Sequence, residues 1–152
     1  MDDLLFYDVT VDREVPLGQT LDRLRESGFA VTGDYGEKLS FLNDGSGAAG
    51  AVELALARLP EGIRSQEEFG RFARQSGLRL ATLRETAALA AARPEVFAGA
   101  ENLPVAVVGD PLRIEGDPDL WIPVFPSGHG PALGVAPAGD FWGDARFPVA
   151  KL

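Results

Sequence analysis

Eight of the chain's 11 prolines lie beyond residue 98, together with 8 of its 18 glycines. Proline has no backbone N–H to donate, and inside a helix its ring clashes with the preceding turn. The last third of the chain is therefore a poor helix former. Short apolar runs separate the prolines there: "VAVVG", "LRI", "LWIPVF", "ALGVA" and "RFPVAKL". They predict short strands in a meander over residues 99–152, with prolines at edges or turns because they cannot donate to a ladder. The meander is a small partly open barrel, a second sheet, or an extension of the first. "PSGHGPALG" (126–134) reads as its most mobile loop.

Hydrophobic periodicity organises the rest. In "LLFYDVTVD" (4–12), Leu5, Tyr7, Val9 and Val11 share one face and Phe6, Asp8 and Thr10 the other, a two-residue period that predicts a strand. The period changes in "PLGQTLDRLRESG", where Leu17, Leu21 and Leu24 line one face of a helix. Pro16 suits its first turn and Gly28 its end. "FAVTGDYGEKLSFLNDG" predicts a hairpin, with Phe29–Thr32 and Lys38–Leu42 flanking "GDYGE". Val52, Leu54 and Leu56 alternate in "AVELALARL" (51–59), which predicts a third strand beside that hairpin. Two S/T-x-x-E capping boxes follow, Ser65 with Glu68 and Thr82 with Glu85. Gly77 ends the first of these helices and Pro94 closes the second, whose "TAALAAA" gives it a thin face that a neighbour can approach closely.

These patterns predict an α+β fold: an N-terminal β-α-β-β-β layer (1–62), a central αα-hairpin (63–98) and a C-terminal β-meander (99–152). At 152 residues they form one domain. With no cysteine, disulfides and thiolate metal sites are excluded. The acidic start "MDDLLFYDV" lacks the basic region of a secretory signal. No apolar run approaches the about 20 residues that cross a bilayer. A cytoplasmic protein with no membrane partner is the expectation, and a bacterial or phage protein fits it equally.

Charge is unevenly spread. The formal net charge is −9, with −7 over residues 1–57, +3 over 58–93 and −5 over 94–152. A basic island sits between acidic flanks. Within the island, "ARQSGLRLATLRE" (73–85) carries Phe72 and Ala73 before a turn at Gly77, then Leu78 and Leu83. This spacing resembles the DNA-binding helix-turn-helix over about 20 residues. The resemblance implies that Arg79, Thr82 and Arg84 would lead a second helix into a groove. Leu80 and Ala81 stand where base-reading polar residues are usual, and only Arg93 adds charge further along. Two capped helices packed on each other account for the same residues. Arg71 and Arg74 should face outward beside Glu67, with Glu67 and Arg71 paired one turn apart. Alternatively, Arg71, Arg74, Arg79 and Arg84 form a patch for an acidic partner.

Catalytic signatures are sparse. His129 is the sole histidine and lies in a glycine-flanked loop; Ser127 is two residues away, but such a loop holds geometry poorly. Zinc would need mostly carboxylate ligands. "EGDPD" (115–119) and "NDG" (43–45) lack EF-hand spacing and read as turns. "GSGAAG" (45–50) lacks the lysine and hydroxyl of a phosphate loop. No cofactor is implied. Trp121, Phe125, Phe141, Trp142 and Phe147 cluster late, and most should fill the core. Phe141 and Trp142 are neighbours in "GDFWGD" and cannot both face one core from a strand, so Asp140, Phe141, Trp142 and Asp144 form a candidate partner-binding spot.

The sequence therefore points first to a non-enzymatic acidic interaction protein, a regulator, inhibitor or accessory subunit whose partner is another protein. A helix-turn-helix nucleic-acid binder acting through residues 66–93 is the first alternative. A small carboxylate-based hydrolase or metal-dependent enzyme is the second.

Overall fold

Alternation in two strands builds the centre of the molecule. The structure, a computed structural model, describes residues 4–12, 14–31, 39–41, 50–98, 104–114, 116–127, 130–138 and 144–152. Its elements run β1 (Tyr7–Val11), α1 (Leu17–Glu26), β2 (Ala30–Val31), β3 (Leu39–Phe41), β4 (Gly50–Arg58), α2 (Gln66–Gln75), β5 (Leu78–Leu80), α3 (Leu83–Ala92), a 3₁₀ turn (Pro94–Phe97), β6 (Val105–Ala106), β7 (Leu112–Ile114), β8 (Leu120–Phe125), β9 (Ala132–Pro137) and β10 (Arg146–Lys151). The fold is α+β, and the β-α-β-β-β order of the first segment is observed. Among the described residues no helix is long and apolar enough to cross a membrane.

The strands form one open mixed sheet in the order β1-β4-β10-β6-β8-β7-β3, with β5 beside β10, β9 beside β8 and β2 beside β9. The C-terminal meander thus extends the first sheet: β10 pairs antiparallel with β4, Pro148 opposite Leu56 and Ala150 opposite Leu54. The residues of β4 divide between two cores. Val52, Leu54 and Leu56 join Leu21 and Leu24 of α1 and Leu83, Ala87, Leu89 and Ala90 of α3. Ala55 and Ala57 join Phe69 and Ala73 of α2, with Phe147 and Val149 of β10. The sheet is therefore covered by α1 and α3 on one face and by α2 on the other. Small residues of β4 leave room for the Phe69 and Phe147 rings, whose centroids lie 5.1 Å apart. Burying each such ring contributes about 1.5–3 kcal/mol. Phe29, Phe97 and Phe125 close the end of the other core.

Three sequence expectations need correction. Among the described residues the two arms of the expected hairpin do not pair with each other: β2 runs parallel to β9 and β3 antiparallel to β7. Nor does β4 lie beside it; its neighbours are β1 and β10. The stretch between α2 and α3 is a strand rather than a bare turn, with Leu78, Arg79 and Leu80 opposite Lys151, Ala150 and Val149. Remote strands outcompeted the local partners in each case.

Two prolines also depart from the expected edges and turns. Pro148 lies inside β10 and Pro123 inside β8. The Pro148 carbonyl accepts from Ala81 N and the Pro123 carbonyl from Val107 N. A strand residue directs its carbonyl and its nitrogen to the same edge. Each missing donor therefore faces a seam. On β10 the neighbour changes there from β6 to β5, and on β8 from β6 to β7. Each proline therefore forfeits one bond where a short neighbour ends, not one in the middle of a ladder.

The segment leaving β6 passes tightly over the end of β5. A Cβ on Gly109 would lie 2.7 Å from both the Ala81 carbonyl oxygen and the Leu80 Cβ, whereas one on Gly18 of α1 would meet nothing within 4 Å. Gly109→Ala should destabilise by about 1–3 kcal/mol through overpacking, and Gly18→Ala should stabilise by up to about 1 kcal/mol through helix propensity. Urea denaturation of both variants checks the pair; equal effects would contradict the close approach.

Candidate functional site

Two features meet at the first turn of α3. One is a buried polar cluster and the other an open cleft.

The cluster follows from the capping box. Thr82 Oγ1 accepts from Glu85 N at 3.2 Å, and Glu85 Oε1 accepts from Thr82 N at 2.9 Å, so both halves of the box form. In α2 only one half does: Ser65 Oγ accepts from Glu68 N, but Glu68 turns to Arg64 N. Glu85 is 1% exposed. Arg79 reaches it from β5 as a fork, with guanidinium–carboxylate distances of 2.8 and 2.5 Å. Such a bidentate pair suits arginine geometry. The hydrogen bond to Glu85 and its charge hold Arg79 above its ordinary pKa against the effect of burial.

Asp110 completes the turn from 27 residues away. Its Oδ2 accepts from Leu83 N at 3.0 Å, satisfying a helix-terminal donor. The tight passage of Gly109 over Leu80 and Ala81 brings it there. Asp110 is 3% exposed, and its Oδ1 has no hydrogen-bond partner. Burial pushes its carboxyl up to about 6; the Leu83 N–H and the charge of Arg84 oppose that rise, while the charge of Glu85 adds to it.

The cleft opens on the other side of α3, between α1 and the end of β1, with a volume of about 540 Å³. Val11, Val15, Ala88 and Ala91 supply apolar walls, Thr10, Thr20 and Ser27 bring hydroxyls, and Asp12, Arg23, Glu26 and Arg84 bring charge. The Ser27 hydroxyl lies 3.0 Å from the Arg23 carbonyl oxygen and 3.1 Å from that of Ala91, tying α1 to α3. The half-buried Arg84 donates to the Val15 carbonyl. The alanines of "TAALAAA" permit this close packing, as their thin profile predicts.

The four arginines expected to form one patch part company. Arg71 and Arg74 are exposed on α2. Arg79 is consumed by Glu85, and Arg84 turns into the cleft. Glu67 and Arg71 form no ion pair. Among the described residues of α3, Leu83, Glu85, Thr86, Ala87, Leu89 and Ala90 are buried, so this helix is not presented as a groove reader. Of the expected aromatic spot only Asp144 lies within the described residues, and it is exposed. Asp140, Phe141 and Trp142 lie outside them, as does His129. Phe125 and Phe147 are core residues as expected, and the half-buried Trp121 donates its indole N–H to Asp117 at 3.0 Å. Among the described residues no three His, Cys, Asp or Glu side chains are grouped to hold a metal.

Sequence reasoning found Glu85 through its box but missed Asp110, which reads locally as a turn residue in "VGDPL". Arg79 between Leu78 and Leu80 has strand alternation, a signal that could have separated it from the surface arginines. Comparison with protein families, curated proteins and solved structures finds no match.

Because the folded pKa of Asp110 lies above its unfolded value near 3.8, the protonated group favours the fold. That contribution is complete below about pH 4 and is lost as pH rises through about 6, an effect of about 3 kcal/mol. Asp110→Asn keeps an acceptor for Leu83 and carries no charge. Its stability relative to the parent should rise by up to about 3 kcal/mol between pH 4 and pH 8 in urea denaturation; a constant difference would contradict the burial argument. Arg79→Ala leaves Glu85 charged and unpaired, and should cost about 3 kcal/mol at pH 7.

Proposed function

We propose that the protein is a non-enzymatic binding protein that acts in the cytoplasm on a partner protein bearing a basic surface, as a regulator, inhibitor or accessory subunit. The observation that carries this reading is how charge is sorted between inside and outside. Arg79 and Arg84, half of the expected basic patch, are drawn into internal contacts. Glu85 and Asp110 are buried with them, but every other carboxylate among the described residues stays half-buried or exposed. Asp8 and Glu53 lie directly opposite each other across β1 and β4, both exposed, and Lys151 compensates only Glu53, at 3.3 Å. Like charges in that register cost a few tenths of a kcal/mol or more. A positively charged partner would relieve the cost. The strand that carries Asp8 is at the edge of the sheet, within reach of such a partner. The 140–144 segment, with its adjacent phenylalanine and tryptophan, remains the proposed apolar anchor.

A nucleic-acid role through residues 66–93 has less support, because most of the helix that would enter a groove is buried and Arg79 and Arg84, which would lead it, are engaged. Affinity capture from host lysate on the immobilised protein should retain a basic protein at low salt and release it by about 0.5 M salt, where charges are screened over a few ångströms. Asp8→Asn should weaken capture yet stabilise the fold by about 0.2–1 kcal/mol. Capture indifferent to salt would falsify the electrostatic reading. A duplex-DNA gel shift abolished by Arg71→Ala and Arg74→Ala would replace it with the nucleic-acid one.

A further inference from the structure

Four charged side chains line the cleft between α1 and α3, two of each sign: Arg23, Arg84, Asp12 and Glu26. Among the described residues none of them forms an ion pair, with one another or with any other group. Elsewhere in the molecule Arg25, Arg79 and Arg93 each find a carboxylate. Arg23 and Glu26, one turn apart on α1, are placed to meet and do not. Arg84 is half-buried and fixed by the Val15 carbonyl, a neutral acceptor that leaves its charge uncompensated by contact. The Asp110 carboxylate attracts it through space without touching it.

Removing a guanidinium from water without a counter-ion is costly, and a guanidinium already fixed in place binds a carboxylate with little further loss of freedom. The carboxylates of the cleft would repel a simple anion. They would welcome a ligand that also carries a cation. Between the charged groups lie the apolar surfaces of Val11, Ala88 and Ala91, and the hydroxyl of the buried Thr20, which makes no hydrogen bond among the described residues. The volume falls in the range of small-molecule sites, roughly 300–1,000 Å³.

We infer that this cleft binds a small amphoteric molecule of amino-acid or dipeptide type, with its carboxylate on Arg84, its ammonium toward Asp12 and Glu26, and its apolar body on the α3 alanines. This goes beyond the macromolecular reading and does not depend on it, since the surface carboxylates Asp8 and Glu53 do not line the cleft.

The test is an NMR titration of the whole chain with L-alanyl-L-leucine, its N-acetyl form and its C-terminal amide. The free dipeptide should bind with a Kd of about 1 mM or tighter, with shifts centred on the cleft. Each blocked form should bind at least about tenfold more weakly, the loss expected when one charged contact is removed. Arg84→Met should abolish binding. Because that change could also loosen the Val15 contact, Arg23→Gln and Glu26→Gln, both at exposed positions, serve as second variants. Each should weaken binding with an unchanged melting temperature. No binding at about 10 mM, shifts centred elsewhere, or affinity unchanged in all three variants would overturn the assignment. Equal binding of the N-acetyl form would also overturn it, in favour of a plain anion site.

Discussion

The pairing of β4 with β10 is the contact on which both cores depend. It joins residues 54 and 150 across most of the chain. Its Leu54 and Leu56 face one helical layer, and its Ala55, Ala57, Phe147 and Val149 face the other. Separating the two strands would open both cores at once. It would also release β5, which is held by β10, and with β5 the Arg79 that pairs with Glu85. The capped start of α3 is therefore a consequence of a remote strand pairing as well as of its own sequence. Pairings at such separation must overcome a large loop-closure entropy before they contribute.

The placement of Pro123 and Pro148 shows how this sheet accommodates residues that sheets ordinarily exclude. Both occupy long strands flanked on one side by two short neighbours laid end to end. The short neighbours interrupt the ladder, and each proline faces the residue just past the end of one of them, Ala81 or Val107, where a missing donor costs a single bond. The interruption beside Pro123 is where the chain leaves β6 and turns over Ala81 through Gly109 to deliver Asp110 to α3. The same interruption that admits a proline admits a buried carboxylate.

Local signals were legible in the sequence and long-range ones were not. The Thr82–Glu85 box, the Ser65 cap, the glycine that ends α2 and the alternation in β1 and β4 all depend on residues within a few positions of one another. Physics at that range survives folding unchanged. The partners of β2, β3 and β5 lie 69 to 102 residues distant in the chain, and no periodicity encodes which strand will arrive. Arg79 and Arg84 illustrate the same limit at the site. By composition they belong with Arg71 and Arg74, as one basic patch. Strand geometry at β5 sends Arg79 inward, and the packing of α1 on the alanines of α3 sends Arg84 into a cleft. Asp110 had no signal at all, because a glycine-aspartate-proline run reads as an exposed turn unless the surface beneath it is known.

The two sides of α3 pose opposite electrostatic problems. On one side, carboxylates are buried: Glu85 is matched by Arg79, while Asp110 has one oxygen satisfied and one bare. On the other, Arg84 has its position fixed but its charge unmatched. The charge of Arg84 opposes the rise that burial imposes on Asp110, although the two groups do not touch. A carboxylate brought to Arg84 by a ligand would compete with Asp110 for that positive charge. The buried acid and the open cleft thus meet at the same end of α3, with Arg84 the cation common to both.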